Sequence, residues 1–277
     1  MLAPLYNETI FKKAFTDKIV FQQFIKDLFD IDIIVDKIET EKKFEPPIAN
    51  IDFALDIFAE TTDHRFVIEI QKIDYDYNFN RFLNYFTSLY VEQLKKGTKY
   101  EVPQTILGVV VLTSPYKINQ LTGEPIRESV MTIDFNPRNV KNDTIEIWKH
   151  KLVFLNPNPD YKKEYNTKNF QDWLDLFYAS MEEQSNFKLN LNNKGIAKTI
   201  EIIDIEKLDY KTIEEMKISD AKKSMITIIE NENLQKGINI GMEKGMEKVA
   251  KQMKLDIEPI EKIVKFTGLT KEQIDRL

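Results

Sequence analysis

The chain contains no cysteine, which excludes disulfides and thiolate-bound metals and fits a reducing cytoplasm. Its two histidines, His64 and His150, are too few for a histidine-rich metal site. Any bound ion is therefore expected to be hard and carboxylate-held, such as Mg²⁺ or Mn²⁺. No apolar run approaches the roughly 20 residues of a membrane helix. The opening residues 1–8 lack both the positive segment and the sustained apolar segment of a secretory signal, so the expected location is cytoplasmic, with no membrane partner. A basic surplus is missing as well: 39 Lys and Arg stand against 45 Asp and Glu, for a net charge of −6. That balance counts against an extensive phosphate-binding face. A carboxylate cluster awaiting a divalent ion accounts for part of the deficit.

What is present is enough to bury a sizeable core, since 42% of the 277 residues are hydrophobic. Ile10, Phe11, Ala14 and Phe15 recur at helical spacing. After a cap near Thr16–Asp17, Phe21, Phe24, Ile25 and Leu28 do the same. A strand is expected around residues 37–44, ended by Pro46-Pro47. Two β-rich runs, 51–59 and 66–71, flank a polar turn and read as a hairpin. Phe79, Phe82, Leu83, Phe86, Leu89, Tyr90 and Leu94 mark an amphipathic helix over 78–96, with Gly97 as its stop. Residues 104–112 read as a strand buried on both faces, and further strands are expected around 129–135 and 146–155. The order predicts a mixed sheet with helices packed on it.

The hairpin makes a specific geometric claim. With the turn centred between Thr62 and Asp63, Asp56 lies opposite Glu69, their Cβ atoms about 5 Å apart. Gln71, two residues beyond Glu69, projects from the same face. Two carboxylates at that spacing can share a divalent ion, which would polarise a phosphodiester and generate hydroxide near neutral pH. Without the ion they repel, and one carries a raised pKa. Spacing alone equally allows a solvent-facing row of polar positions.

Asp56-Ile-Phe-Ala-Glu60 and Val67-Ile-Glu-Ile-Gln71 are followed by Phe79-x-Arg81-x-x-x-Tyr85 and Gln93-x-x-x-Gly97-x-x-Tyr100. This ordered set resembles the Rpn-type, transposase-associated branch of the PD-(D/E)XK nucleases, in which the signature lysine is commonly glutamine. Glu8-x-x-Phe11-Lys12-x-x-Phe15 is similar to that branch's opening, with Glu for Asp. The resemblance implies an α/β fold, a restriction-endonuclease-like mixed central sheet flanked by helices. It implies a Mg²⁺-dependent DNA endonuclease, with Mn²⁺ as substitute, linked to recombination or a mobile element; the residues themselves do not tell DNA from RNA. Asp56 and Glu69 are the implied metal ligands and catalytic residues, with Gln71 orienting water or phosphate. Glu8 is an accessory carboxylate, and Asp52 a rival for the first ligand if the register differs. Arg81 and Tyr85, one helical turn apart, are accessory candidates for a phosphate or simply the polar side of a helix. The alternative is a catalytically inactive nucleic-acid- or protein-binding module of the same fold.

The expected organisation is a nuclease-like core over 1–180, a helical extension over 181–235 and a tail over 236–277. In the tail Gly237, Gly241 and Gly245 recur every four residues, a spacing that permits close helix approach and homo-oligomer formation. The ending around Thr267-Gly-Leu-Thr-Lys-Glu-Gln-Ile274 reads as a helix-turn-helix of mixed charge, suited to DNA or protein.

Overall fold

In the computed structural model the described residues are 1–43, 54–71, 79–94, 102–113, 126–161, 164, 166–182 and 188–277. Asp52, Pro46-Pro47 and Gly97 lie outside them. Two short helices open the chain, each capped by an acceptor side chain, the second at the expected Asp17. Asn7 Oδ1 accepts from the amides of Thr9 and Ile10 to begin α1 (Glu8–Phe15). Asp17 does the same for α2 (Lys18–Phe29). Their apolar faces are the expected ones, with Phe11, Phe15, Phe21 and Phe24 fully buried.

Strands β1 (Ile38–Lys43), β2 (Ala54–Glu60) and β3 (His64–Gln71) follow. Helix α3 (Phe79–Glu92) then crosses to β4 (Thr105–Leu112), and β5 (Val130–Asp134) and β6 (Lys151–Leu155) complete the sheet. Its order is β1-β2-β3-β4-β6-β5. The β1/β2, β2/β3 and β5/β6 pairs are antiparallel, while β3/β4 and β4/β6 are parallel. The last strand is shorter than its sequence pattern. Residues 146–149 are an exposed turn in which Asn136 Oδ1 accepts from the amides of Ile147, Trp148 and Lys149. In α3, Phe82, Tyr85, Phe86 and Leu89 are buried and Leu83 faces solvent, as does Leu94 just beyond the helix.

β4 carries the sheet's core on both sides. Leu107, Val109 and Val111 join the cluster under α1 and α2, and Ile106, Val110 and Leu112 join the one under α3. The first cluster includes α4 (Lys168–Met181) and α5 (Lys194–Ile203) through Trp173, Leu174, Phe177, Ile196 and Ile203. Asp27 ties these helices together. Its Oδ2 accepts from Trp173 Nε1 at 2.8 Å and Asn193 Nδ2 at 2.7 Å, so a polar group inside the helical layer is fully used.

The long helix α6 (Tyr210–Leu255) contains the boundary between two compact units, residues 1–217 and 218–277. The second unit has its own small core of Ala250, Ile263, Leu269 and Ile274. There α7 (Ile260–Thr267) ends at Gly268, whose φ of +70° favours glycine. α8 (Lys271–Asp275) starts with a Thr270/Gln273 capping box. A Cβ added at Gly237, Gly241 or Gly245 meets no described atom within 4 Å. Among the described residues no helix is long and apolar enough to cross a membrane.

Trp173 is fully buried, with its ring against Phe24 (centroids 4.8 Å apart). Truncation to alanine is expected to cost about 3–5 kcal/mol, read as a lower midpoint in urea unfolding with unchanged slope.

Candidate functional site

The hairpin adopts the expected register, running from Ile57↔Ile68 to Glu60↔Arg65. One step beyond, at Asp56 and Glu69, the side chains replace the main-chain ladder. The Asp56 amide donates to Glu69 Oε1 at 3.0 Å, and the Ile70 amide donates to Asp56 Oδ2 at 3.0 Å. Each carboxylate therefore takes a main-chain donor from the opposite strand, which fixes both acids at the end of the paired segment. The alternation of β2 changes phase here. Leu55 and Phe58 both join the α3-side cluster, while Ile57 and Ala59 join the other, an arrangement strict alternation forbids. On the far side β1 is irregular at the same level. Thr40 pairs with Ile57 and Lys42 with Leu55, and Glu41 between them adopts φ +53°. That left-handed backbone is costly for glutamate and turns its side chain without inserting a residue, since the register is the same on either side.

The re-aimed Glu41 completes a cluster that the sequence pattern had not indicated. Glu8, Glu41 and Asp56 each bring a carboxylate oxygen within 4.8 Å of the others. Glu8 arrives from the first turn of α1, where negative charge is favoured. Lys12, one turn further on, donates to both Glu8 and Glu41. Glu41 lies in a run of charged residues indistinguishable from a solvated edge strand. Its role depends on one unusual dihedral and on α1 touching β2, neither of which has a local sequence signal.

Glu69 is 4% exposed. It is a polar wall of a small, otherwise largely apolar pocket between the sheet and α3, shared with Val67, Phe82, Tyr85 and Val110. Burial, and then the charge of Asp56, pushes its pKa well above the ordinary glutamate range. The Asp56 amide, Arg81 and Lys12 pull it back in part. Asp56 is half-buried, and burial raises its pKa too, against the Ile70 amide and Lys12. The two acids thus compete for ionisation.

Gln71 lies next to this pair at the end of β3, its Oε1 accepting from Arg81 Nη1 at 3.3 Å. Arg81 Nε also donates to the Tyr85 hydroxyl, and its guanidinium lies 5.2 Å from the Tyr85 ring centre. Burial raises the Tyr85 pKa, with Arg81 opposing. Asp56, Glu69, Gln71, Arg81 and Tyr85 therefore converge, with Glu8 joining from α1. Lys72, Asp74, Asp76, Lys95, Lys96 and Lys99 lie outside the described residues, as does Asp52. His64 is half-buried at the start of β3, with its ring on Phe66 (centroids 5.7 Å apart).

Comparison with curated proteins returns no match, and comparison with solved structures returns none. A family model does match, over residues 6–232. That span takes in the Glu8 helix, both strands of the acidic hairpin, Gln71 and the Arg81–Tyr85 pair. The chain belongs to the PD-(D/E)XK nuclease family described as PD-(D/E)XK nuclease family transposase.

Proposed function

We propose that the chain is a divalent-cation-dependent DNA endonuclease, with Asp56 and Glu69 at its centre and Mg²⁺ as the working ion. The observation that carries this reading is the pair of carboxylates locked across β2 and β3 by crossed main-chain hydrogen bonds. An apolar hairpin gains nothing in stability from facing acids, so their placement points to a cation partner. The donor set fits a hard ion: all are carboxylate oxygens, and those of Glu8, Glu41 and Asp56 are mutually within 4.8 Å. When bound, such an ion supplies positive charge to the phosphate and acidifies a water.

The chain's own residues do the rest. Asp56 and Glu69 would hold the ion, with Glu8 and Glu41, whose oxygens lie within 4.8 Å of Asp56, as further carboxylate ligands. The Gln71 carboxamide, its oxygen committed to Arg81, offers N–H donors that orient a water or phosphate oxygen. Arg81, steadied by Tyr85, places a fixed cation beside the developing charge. DNA is the preferred substrate, in keeping with the family's transposase description, and a role in recombination or a mobile element follows from it. Homo-oligomer formation through the C-terminal helices belongs to the same proposal. The neutral Gln71 favours a second reading, a binding module of the same fold without cleavage.

Asp56→Ala and Glu69→Ala are each expected to lower Mg²⁺-dependent nicking of supercoiled plasmid by about 100-fold or more, the several kcal/mol a charge-stabilising ion contributes. Far-UV circular dichroism should be unchanged. Retention of plasmid on a gel in EDTA, with no cleavage under Mg²⁺ or Mn²⁺, would identify the binding module instead.

The raised Glu69 pKa gives a second test. A group whose folded pKa is raised contributes its stability below the ordinary carboxylate range and loses it as pH rises through the raised value. In EDTA, wild type is therefore expected to gain melting temperature relative to Glu69→Gln as pH falls from 8 toward 5. Saturating Mn²⁺ should reverse that difference at pH 8. Parallel curves in EDTA would remove the buried charge from the account.

A further inference from the structure

We infer that Lys12 is the resident counter-ion of the acid cluster and competes with the divalent cation for the same carboxylates, so that it sets the site's cation affinity. This rests on the reading of Asp56 and Glu69 as the ion-binding pair and extends it to the regulation of that site. The Lys12 ammonium donates to Glu8 and Glu41. Those are two of the three acids whose oxygens could close on one ion, and the third, Asp56, feels the charge of Lys12, as does Glu69. The side chain is 17% exposed, and its ammonium is held by two members of the cluster. Position and chemistry coincide: a monovalent cation on a tether occupies carboxylates that a divalent ion would need.

A purely structural role, tying α1 to β1, is the competing explanation, and the two differ in what they move. A tether adds to stability and leaves cation binding alone. A competitor lowers cation affinity because its own ion pairs must break first, and the resulting gap is linked to binding by mass action. Tethering the ammonium to the fold also keeps the acids balanced when no metal is present. Lys12 can therefore be stabilising in EDTA and antagonistic to the ion at once.

The test is Mn²⁺ binding to the full chain, measured by calorimetry and by the electron paramagnetic resonance signal of free Mn²⁺. Wild type, Lys12→Met, Lys12→Arg and Asp56→Asn are compared. Lys12→Met is expected to bind Mn²⁺ about fivefold more tightly or better, the scale of a partly buried ion pair, and to melt lower in EDTA. Lys12→Arg, which keeps the charge, should stay within about twofold of wild type. The Mn²⁺ concentration for half-maximal plasmid nicking should fall in Lys12→Met in step with the binding constant. Unchanged or weaker Mn²⁺ binding in a folded Lys12→Met, with Asp56→Asn impaired, would overturn the inference and leave the site reading standing. Mn²⁺ binding that Asp56→Asn leaves intact would overturn both. If Lys12→Met is unfolded in EDTA, the Arg variant decides: a shift beyond twofold sinks charge competition as the cause.

Discussion

Two hydrogen bonds set the geometry at the end of the hairpin: the Asp56 amide to the Glu69 carboxylate, and the Ile70 amide to the Asp56 carboxylate. They stand where an antiparallel ladder would otherwise continue. A ladder needs no side chains, so replacing it by two acids costs burial of charge and gains no packing. What it achieves is orientation. Each carboxylate keeps one oxygen bound to a main chain that cannot rotate, while the rest of its acceptor capacity stays available. The phase change of β2 and the left-handed Glu41 opposite it are the local distortions that accompany this replacement.

The cost is met by the rest of the sheet. β4 and its parallel partners are buried on both sides, with Trp173 and a set of phenylalanines packed under one face and α3 under the other. That platform anchors the end of the hairpin where the two acids face each other. The helices contribute charge as well as cover. Lys12 comes from α1 and Arg81 from α3, and both act on Asp56 and Glu69. An acidic chain with net charge −6 can thus surround its acids with fixed cations without a broadly basic surface.

Much of this was readable from residues. The hairpin register followed from two β-rich runs and a polar turn, because period-two alternation and a short loop leave few pairings. The cap at Asp17, the faces of α1 and α2 and the doubly buried β4 followed from spacing and apolar content. What escaped was whatever depends on distant contact or on a single dihedral. Glu41 looks like any edge-strand acid until φ +53° turns it. Leu55 reads as the partner of Ile57 until the phase of β2 shifts. Lys12 reads as half of a helical Glu-Lys pair, and only the packing of α1 beside β1 brings Glu41 to its ammonium. Residues 146–149 have strand composition, yet Asn136 takes their amides and holds them as a turn.

The same electrostatics explain why position 71 tolerates an amide. Arg81 Nη1 lies 3.3 Å from Gln71 Oε1, so an ammonium at 71 would stand beside a guanidinium, like charges at close range. Glutamine avoids that repulsion, accepts from the arginine and still carries two N–H donors. Positive charge then reaches the acids from the flanking helices instead of from the strand. Once α1 and α3 each contribute a cation, a third on β3 would oppose its neighbours more than it would help the carboxylates.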